Sequence, residues 1–309
     1  MTPDTYGDVT AEYQAIHDAA AIVEGRHALV RVVGPDAESF LDSLLSQELV
    51  GLADGRVVRS LLLGPRGKLR ALLWVVRTGD EFLIVSDREA ADSVVEDLTR
   101  FKLRVDLTIG PVEPVIDLVG PGSPSVLAAT GLTALAAPLG TLDRFFVLEP
   151  EVDQLTAAGV RPAGRLAYTA IRVEMGEPIM GEDVDESTIP QEAGSLVTEA
   201  VSFTKGCYLG QELVARIDSR GQVNRQLRGV VLAENRLPPS GAEVVAGGEP
   251  VGSITSIAES LLVGAPIGLG LIRREVEPGS DVEIRWEGGT ARAQVRELPL
   301  LGSESTLAS

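Results

Sequence analysis

Three strand-like runs follow one another with almost no chain between them: residues 57–63, 69–76 and 82–85, joined by Gly64-Pro65-Arg66-Gly67 and Thr78-Gly79-Asp80. Turns this short leave no room for the crossover that a parallel pair needs, so antiparallel pairing is expected. A second series begins beyond Asn224, at residues 227–232, 244–245, 252–257, 265–271, 282–286 and 291–295. Pro238-Pro239-Ser240-Gly241, Gly247-Gly248, Pro278-Gly279 and Gly288-Gly289 separate these runs. Short strands at that density predict a small antiparallel barrel of roughly eighty residues.

Helical spacing appears between and around the strands. Residues 12–23 fit a short helix, and residues 28–33 (ALVRVV) read as a buried strand ending at Gly34. Pro35 suits a first helical position, Asp36 and Glu38 suit the positive end of the helix dipole, and Phe40, Leu41, Leu44 and Leu45 recur on one face. A helix is predicted over residues 88–101, with Ala91, Val94, Val95 and Leu98 on one face, and a strand over 103–109. Prolines and glycines cluster over residues 110–124, around the strand-like 115–119, and mark a hinge. A strand at 145–148 and a helix at 152–158 follow. Strands and helices interspersed without regular alternation predict an α+β fold, and 309 residues suffice for two domains: residues 1–226, then a barrel over 227–309 with a polar, frayed tail from Gly302.

Charge narrows the function classes. Lys plus Arg number 27 against 45 Asp plus Glu, a formal net charge of -18, so the chain as a whole repels phosphate backbones and anionic membrane surfaces. Direct contact with nucleic acid or membrane is not expected. One cysteine rules out an intrachain disulfide. Residues 1–13 show no cationic start followed by an apolar run, and no apolar run approaches a membrane span, so a cytoplasmic protein is the expectation.

That single cysteine lies in SFTKGCYLGQE, residues 202–212. Cys207 follows Lys205 and Gly206, and Leu209, Glu212, Leu213, Arg216 and Ile217 have the pattern of a helix starting close by. An ammonium and a helix N-terminus both favour a thiolate. Gly206 and Gly210 permit a sharp turn and a close backbone approach. The residues fit a reactive loop and fit equally a small apolar filler. With no Cys-x-x-Cys and only His17 and His27 besides, a lone thiol closes no metal site alone, so no metal is expected unless a partner molecule shares it.

Residues 167–191 (AYTAIRVEMGEPIMGEDVDESTIPQ) open with a stretch that alternates at Ile171, Val173 and Met175 yet also fits a helical face, and helix is preferred. Gly176, Pro178, Gly181 and Pro190 then force an irregular loop bearing Glu177, Glu182, Asp183, Asp185 and Glu186. Its spacing is not that of a calcium loop, so a solvated acidic loop is expected rather than a cation site. A carboxylate such as Glu174 can accept two parallel hydrogen bonds from a heterocycle that offers an amino group beside a ring N–H. Spacing alone leaves Glu174 as an exposed helix-surface residue.

KGCYLGQE at residues 205–212, preceded by Ile189-Pro190-Gln191-Glu192 and followed by Val214-Ala215-Arg216, resembles the signature of the YgfZ-type folate-binding proteins. The resemblance extends to Gly25-Arg26, Val33-Gly34, Phe40-Leu41, the Gly67 hairpin, Arg172-Val173-Glu174-Met175-Gly176, Arg225-Gln226-Leu227-Arg228-Gly229 and Gly252-Ser253-Ile254-Thr255-Ser256. These proteins are related to the glycine-cleavage T-protein, a tetrahydrofolate-dependent aminomethyltransferase. The resemblance implies a three-lobed fold: two interleaved α+β subdomains, a β-barrel and a central folate pocket. It implies tetrahydrofolate as cofactor, and iron–sulfur client or carrier proteins as partners in cluster assembly or repair.

Carried onto this sequence, the resemblance makes Glu174 the anchor of the pterin ring and places Arg225 and Arg228 near the anionic folate tail. Cys207, Lys205, Gly206, Tyr208, Gly210, Gln211 and Glu212 become the functional loop. One departure bears on activity. The T-protein carries an aspartate pair after the hairpin glycines, whereas Lys68, Leu69, Arg70, Ala71 and Leu72 follow Gly67 here. Arginine stays protonated and cannot serve as a base at neutral pH. The expectation is therefore a folate-binding accessory factor, with a folate-dependent one-carbon transferase as the alternative.

Overall fold

The computed structural model describes residues 2–149, 152–221 and 223–301, and the expected frayed tail from Gly302 lies outside them. In chain order come α1 (Val9–Asp18), β1 (Ala21–Val33), α2 (Ala37–Leu44), β2 (Val57–Leu63), β3 (Leu69–Thr78), β4 (Glu81–Asp87) and α3 (Arg88–Phe101). Then follow β5 (Thr108–Val119), α4 (Ser123–Thr130), β6 (Ala134–Ala136), β7 (Arg144–Val147), α5 (Val152–Ala157), β8 (Arg161–Pro162), α6 (Arg165–Met175), α7 (Leu196–Ala200) and α8 (Gln211–Arg220). The last strands are β9 (Arg225–Leu232), β10 (Glu243–Ala246), β11 (Glu249–Ser260), β12 (Ala265–Arg273), β13 (Asp281–Trp286) and β14 (Gly289–Arg296).

The α+β expectation holds. One sheet runs β2-β3-β4-β1-β5-β7-β6, antiparallel throughout this path, with β8 added parallel to the start of β1. The last six strands close a barrel in the order β10-β11-β12-β9-β14-β13. Alternating side chains Val230, Val244, Ile254, Ile272, Ile284 and Val295 fill the barrel's interior. Helices α2 and α3 cover one face of the sheet, where Phe40, Leu41, Leu44, Val94 and Leu98 meet Leu73, Val75 and Ile84. None of the described helices is long and apolar enough to cross a membrane.

Three local expectations are corrected. Helix α1 stops at Asp18 and β1 starts at Ala21, so residues 21–23 are strand rather than helix. Ala21, Ile22 and Val23 pair with Val119, Leu118 and Asp117 at the middle of the sheet, and β-branched side chains suit that pleated, buried setting better than a helical turn. Residues 103–107 of the expected strand are not strand, and the expected hinge over 110–124 is mostly strand: β5 runs from Thr108 through Gly110, Pro111 and Pro114 to Val119. Its partner β7 reaches only residues 116–119, so the half bearing the prolines has a ladder on one side alone. Pro35 precedes the N-cap of α2 rather than starting the helix. The Asp36 carboxylate accepts the Asp106 N–H at 2.7 Å, which ties this turn to the approach to β5.

Helix α6 joins the two halves. Its Ile171 and Val173 pack with Ile16 of α1 and with Leu227, Ile267 and Leu269 of the barrel. Polar contacts add direction to that apolar seam. Glu174 is fully buried; its Oε1 accepts the hydroxyls of Tyr13 and Ser260, and its Oε2 meets His17 Nε2 at 3.0 Å. Arg172, also buried, donates to Asp183 at 2.7 Å, to Glu182 at 3.0 Å and to Ser256 of β11 at 2.6 Å. Asp183 in turn accepts the hydroxyls of Thr255 and Ser256. The loop expected to be solvated thus has two buried members, Glu177 and Asp183, and Asp183 is held there because Arg172 needs an anion where water cannot reach it.

Three substitutions test the packing. Glu174→Ala strands two hydroxyls and an imidazole in the seam, and a urea titration should show unfolding easier by about 3 kcal/mol. Gly210 holds φ +81°, and a Cβ there would lie 2.6 Å from the carbonyl oxygen of Gly64, whereas one at Gly206 meets open space. Gly210→Ala should therefore cost about 2 kcal/mol or more and Gly206→Ala no more than about 0.5 kcal/mol, read from the same titration.

Candidate functional site

A cavity of about 390 Å³ opens where the sheet, the end of α6 and the segment before α7 converge. Val57 and Arg59 of β2, Trp74 of β3, Ala136 to Pro138, Met175 to Pro178, Ser195, Leu196 and Glu199 are among its lining residues. Arg59 and Trp74 are directly opposed partners in the β2–β3 ladder, and the guanidinium lies 4.7 Å from the indole ring centroid. Arg144 sits 4.8 Å from the same ring centroid.

The way α6 ends decides which carboxylate faces the cavity. Gly176 adopts φ +73°, its N–H closes onto the helix carbonyls, and a Cβ there would strike Leu298 at 2.8 Å. This left-handed stop turns the chain between Glu174 and Glu177. On a continued helix the two would share a face. Instead Glu174 points into the seam with α1 and the barrel, and Glu177 lines the cavity.

Glu177 is the last link of a buried polar chain. His27 Nδ1 and the Asp117 carboxylate are hydrogen-bonded at 2.8 Å, the Tyr168 hydroxyl reaches Asp117 at 3.4 Å, and Arg144 donates to Tyr168 at 3.0 Å and to Glu177 at 3.2 Å. Burial pushes the Glu177 carboxyl up, but Arg144, then Arg59 and His27, outweigh it and hold the group below the usual carboxylate range. Burial works against the charge of Arg144 as well, and Glu177 with Tyr168 and Asp117 overcomes it. The cavity wall therefore presents a stable anion.

The loop expected to be functional lies elsewhere. Lys205 Nζ, its side chain 1% exposed, donates to the Asp42 carboxylate and to the backbone oxygens of Asp42, Leu45 and Gln47, all at or just beyond the end of α2. Burial lowers its pKa, with Asp42 acting in the opposite sense. The expected activation of the thiol by this lysine is corrected: its ammonium is committed to oxygen acceptors that neutralise the carbonyl end of α2. Tyr208 is buried beneath the loop with the Lys205 ammonium 5.5 Å from its ring centroid. Gln211 accepts the Tyr208 N–H, and Glu212 lies exposed in the first turn of α8. Gly210 packs against the Gly64–Gly67 turn of the β2–β3 hairpin, while Gly206 meets no such neighbour.

Cys207 is exposed, as is Phe203 beside it at 47%. The filler reading of the cysteine is thereby set aside. Cys207 is not among the residues lining the cavity. Glu174, Arg225 and Arg228, expected beside a folate, do not line this cavity either. Glu174 is spent on the seam. Arg225 Nε donates to Glu192 at 3.0 Å, pinning the start of β9 to the turn before α7, and Arg228 donates to Gln226 at 2.5 Å. No cluster of His, Cys, Asp or Glu among the described residues has the geometry to hold a metal ion.

Sequence reasoning passed over Arg59, Trp74, Arg144 and Glu177. A signal was present for three of the four: Arg59 interrupts the apolar run VVRSLLL, Arg144 heads RFFV, and Glu177 sits between a helix-stopping glycine and a proline.

Residues 1–146 match the GCVT N-terminal domain, and residues 225–301 match the glycine cleavage T-protein C-terminal barrel domain. The chain is 27% identical to an aminomethyltransferase of Rubrobacter xylanophilus, over 94% of this chain and 86% of that one. It is 28% identical to the tRNA-modifying protein YgfZ of Pectobacterium carotovorum, over 70% of this chain and 72% of that one. The solved glycine cleavage system aminomethyltransferase T from Bartonella henselae shares the fold, with a TM-score of 0.89 at 20% identity over 97% of this chain and 91% of that one. With a GCVT N-terminal domain, a T-protein barrel domain and this architecture in one chain, the protein belongs to the T-protein-like family.

Proposed function

We propose that this protein binds a reduced folate in the central cavity and acts as an accessory factor of the YgfZ type, supporting iron–sulfur cluster assembly or repair in client enzymes. The observation that carries the folate half is Glu177, a buried carboxylate kept ionised at the wall of a cavity of about 390 Å³. A volume of that size suits a ligand head of pterin dimensions. An ionised carboxylate has lone pairs for two parallel N–H donors, the pattern that a pterin ring offers through its 2-amino group and adjacent ring nitrogen. Arg144 donates twice to Oε1 of Glu177 and lies 3.2 Å from Oε2 through Nη1 alone, so the remaining lone-pair capacity is chiefly on Oε2.

The accessory half rests on two features of this chain. Cys207 and Phe203 stand exposed on a loop whose base is locked by the buried Lys205 ammonium, a rigid platform for a partner protein or a shared cluster. After Gly67 the hairpin strand β3 carries Leu69, Ala71 and Leu72, buried and apolar, and none of residues 68–72 is an aspartate of the pair that the resemblance to the T-protein implies. Arg70 turns away from the cavity to Asp97 and Glu186.

The names of the relatives favour a second reading, a working aminomethyltransferase. Glu177 is a poor base for that reaction, since a carboxylate held below its usual range by guanidinium groups is a weak proton acceptor. Incubation with tetrahydrofolate and an aminomethyl donor separates the two: turnover that survives Cys207→Ser would establish the transferase and remove the accessory reading.

Two outcomes follow for the preferred reading. Glu177→Ala should weaken tetrahydrofolate binding by about 1.5 to 3 kcal/mol in calorimetry, the worth of hydrogen bonds to a charged group; unchanged affinity would take Glu177 out of the binding site. Cys207→Ala should bind tetrahydrofolate like the parent yet fail to restore iron–sulfur enzyme activity in cells lacking the native gene. Full restoration by this variant would remove the thiol from the function.

A further inference from the structure

The Arg59 guanidinium is an unspent group. Its Nε and Nη2 are buried and have no hydrogen-bond partner in the protein. The neighbouring carboxylates of Glu177 and Glu199 each lie 3.8 Å away, beyond hydrogen-bonding distance, and the indole of Trp74 holds the guanidinium plane in place. Buried donors left unpaired are costly and rare in folded proteins, so a ligand acceptor at this spot has a physical motive.

What the acceptor belongs to follows from the neighbour. Arg59 Nη2 lies 3.8 Å from the Glu177 carboxylate, whose Oε1 is held by Arg144 and whose Oε2 keeps acceptor capacity, so a donor and an acceptor stand side by side on one cavity. A donor next to a carboxylate is the complement of a ring edge that reads carbonyl oxygen, ring N–H, exocyclic amine. That edge is the 2-amino-4-oxo pyrimidine edge, shared by oxidised and reduced pterins and by guanine.

We infer that Arg59 reads the 4-oxo group while Glu177 takes the adjacent N–H and amino group, so the cavity selects 2-amino-4-oxo heterocycles and rejects 2,4-diamino ones. The rejection has a simple cause. A 4-amino group points N–H donors at a guanidinium that can only donate, and both stay unpaired. This inference rests on the folate reading for the identity of the ligand, but the edge it describes does not.

Calorimetric titration of the full chain with tetrahydrofolate, its 2,4-diamino counterpart tetrahydroaminopterin, and guanosine tests it. The parent protein should bind tetrahydrofolate about tenfold or more tightly than the diamino analogue. Arg59→Met should erase that preference by weakening the 4-oxo ligand, and Arg59→Lys, which keeps a donor, should retain part of it; near-ultraviolet circular dichroism checks that both variants fold. A parent protein without preference, or a preference unchanged in Arg59→Met, overturns the inference. If guanosine binds in an Arg59-dependent manner and tetrahydrofolate does not, the edge recognition stands and the folate reading falls. If none of the three ligands binds, both fall.

Discussion

Helix α6 has to stop at Gly176, and the rest of the molecule is arranged around that stop. Without the left-handed residue the helix would carry Glu174 and Glu177 on one face and could serve only one neighbour. With it, Glu174 closes the seam to α1 and the barrel, and Glu177 reaches the cavity. A side chain at position 176 is excluded twice over, by its φ of +73° and by Leu298 against the missing Cβ. A single backbone conformation thus sets both how the two halves of the chain adhere and what chemistry the cavity wall offers.

The buried charges of the cavity wall are poor candidates for net stabilisation. Taking Arg144 and Glu177 out of water costs several kcal/mol per ion, and their attraction about offsets that cost. What the pairing achieves is definition. Arg144 is held by the Ala137 carbonyl, Tyr168, Glu177 and the Trp74 face, so Glu177 has one position and one charge state. A ligand meeting such a wall pays little to organise it. On a chain with a formal net charge of -18, the two guanidiniums flanking Trp74 also concentrate positive charge at one interior point.

The thiol and the cavity are separate features joined by a short path. Leu196 and Glu199 of α7 line the cavity, the Ala200 carbonyl accepts the Ser46 hydroxyl, and Ser202 N–H donates to the Ser46 carbonyl. Three residues further on, Lys205 is sunk into the end of α2. The loop is therefore fixed at its base and open at Cys207, which suits contact with a large partner better than chemistry on a ligand enclosed by the cavity.

Short turns and alternating strands are local properties, and from them the antiparallel hairpins and the barrel were legible in the sequence, as was the Arg88–Phe101 helix from its apolar spacing. The signature around Cys207 likewise pointed to the family without a structure. Other features depend on residues far apart in the chain. Strand β5 runs through two prolines because one of its edges is partly unpaired, and residues 21–23 leave their helical spacing because Val119, Leu118 and Asp117 wait across the sheet. Lys205 looked like an activator of its neighbour, yet the acceptors that claim it come from residues 42–47. Composition and spacing determined the class of fold and the segment that carries the thiol. Which carboxylate faces the cavity was decided only in three dimensions, because a one-residue change of backbone hand redirects a side chain and no sequence period records it.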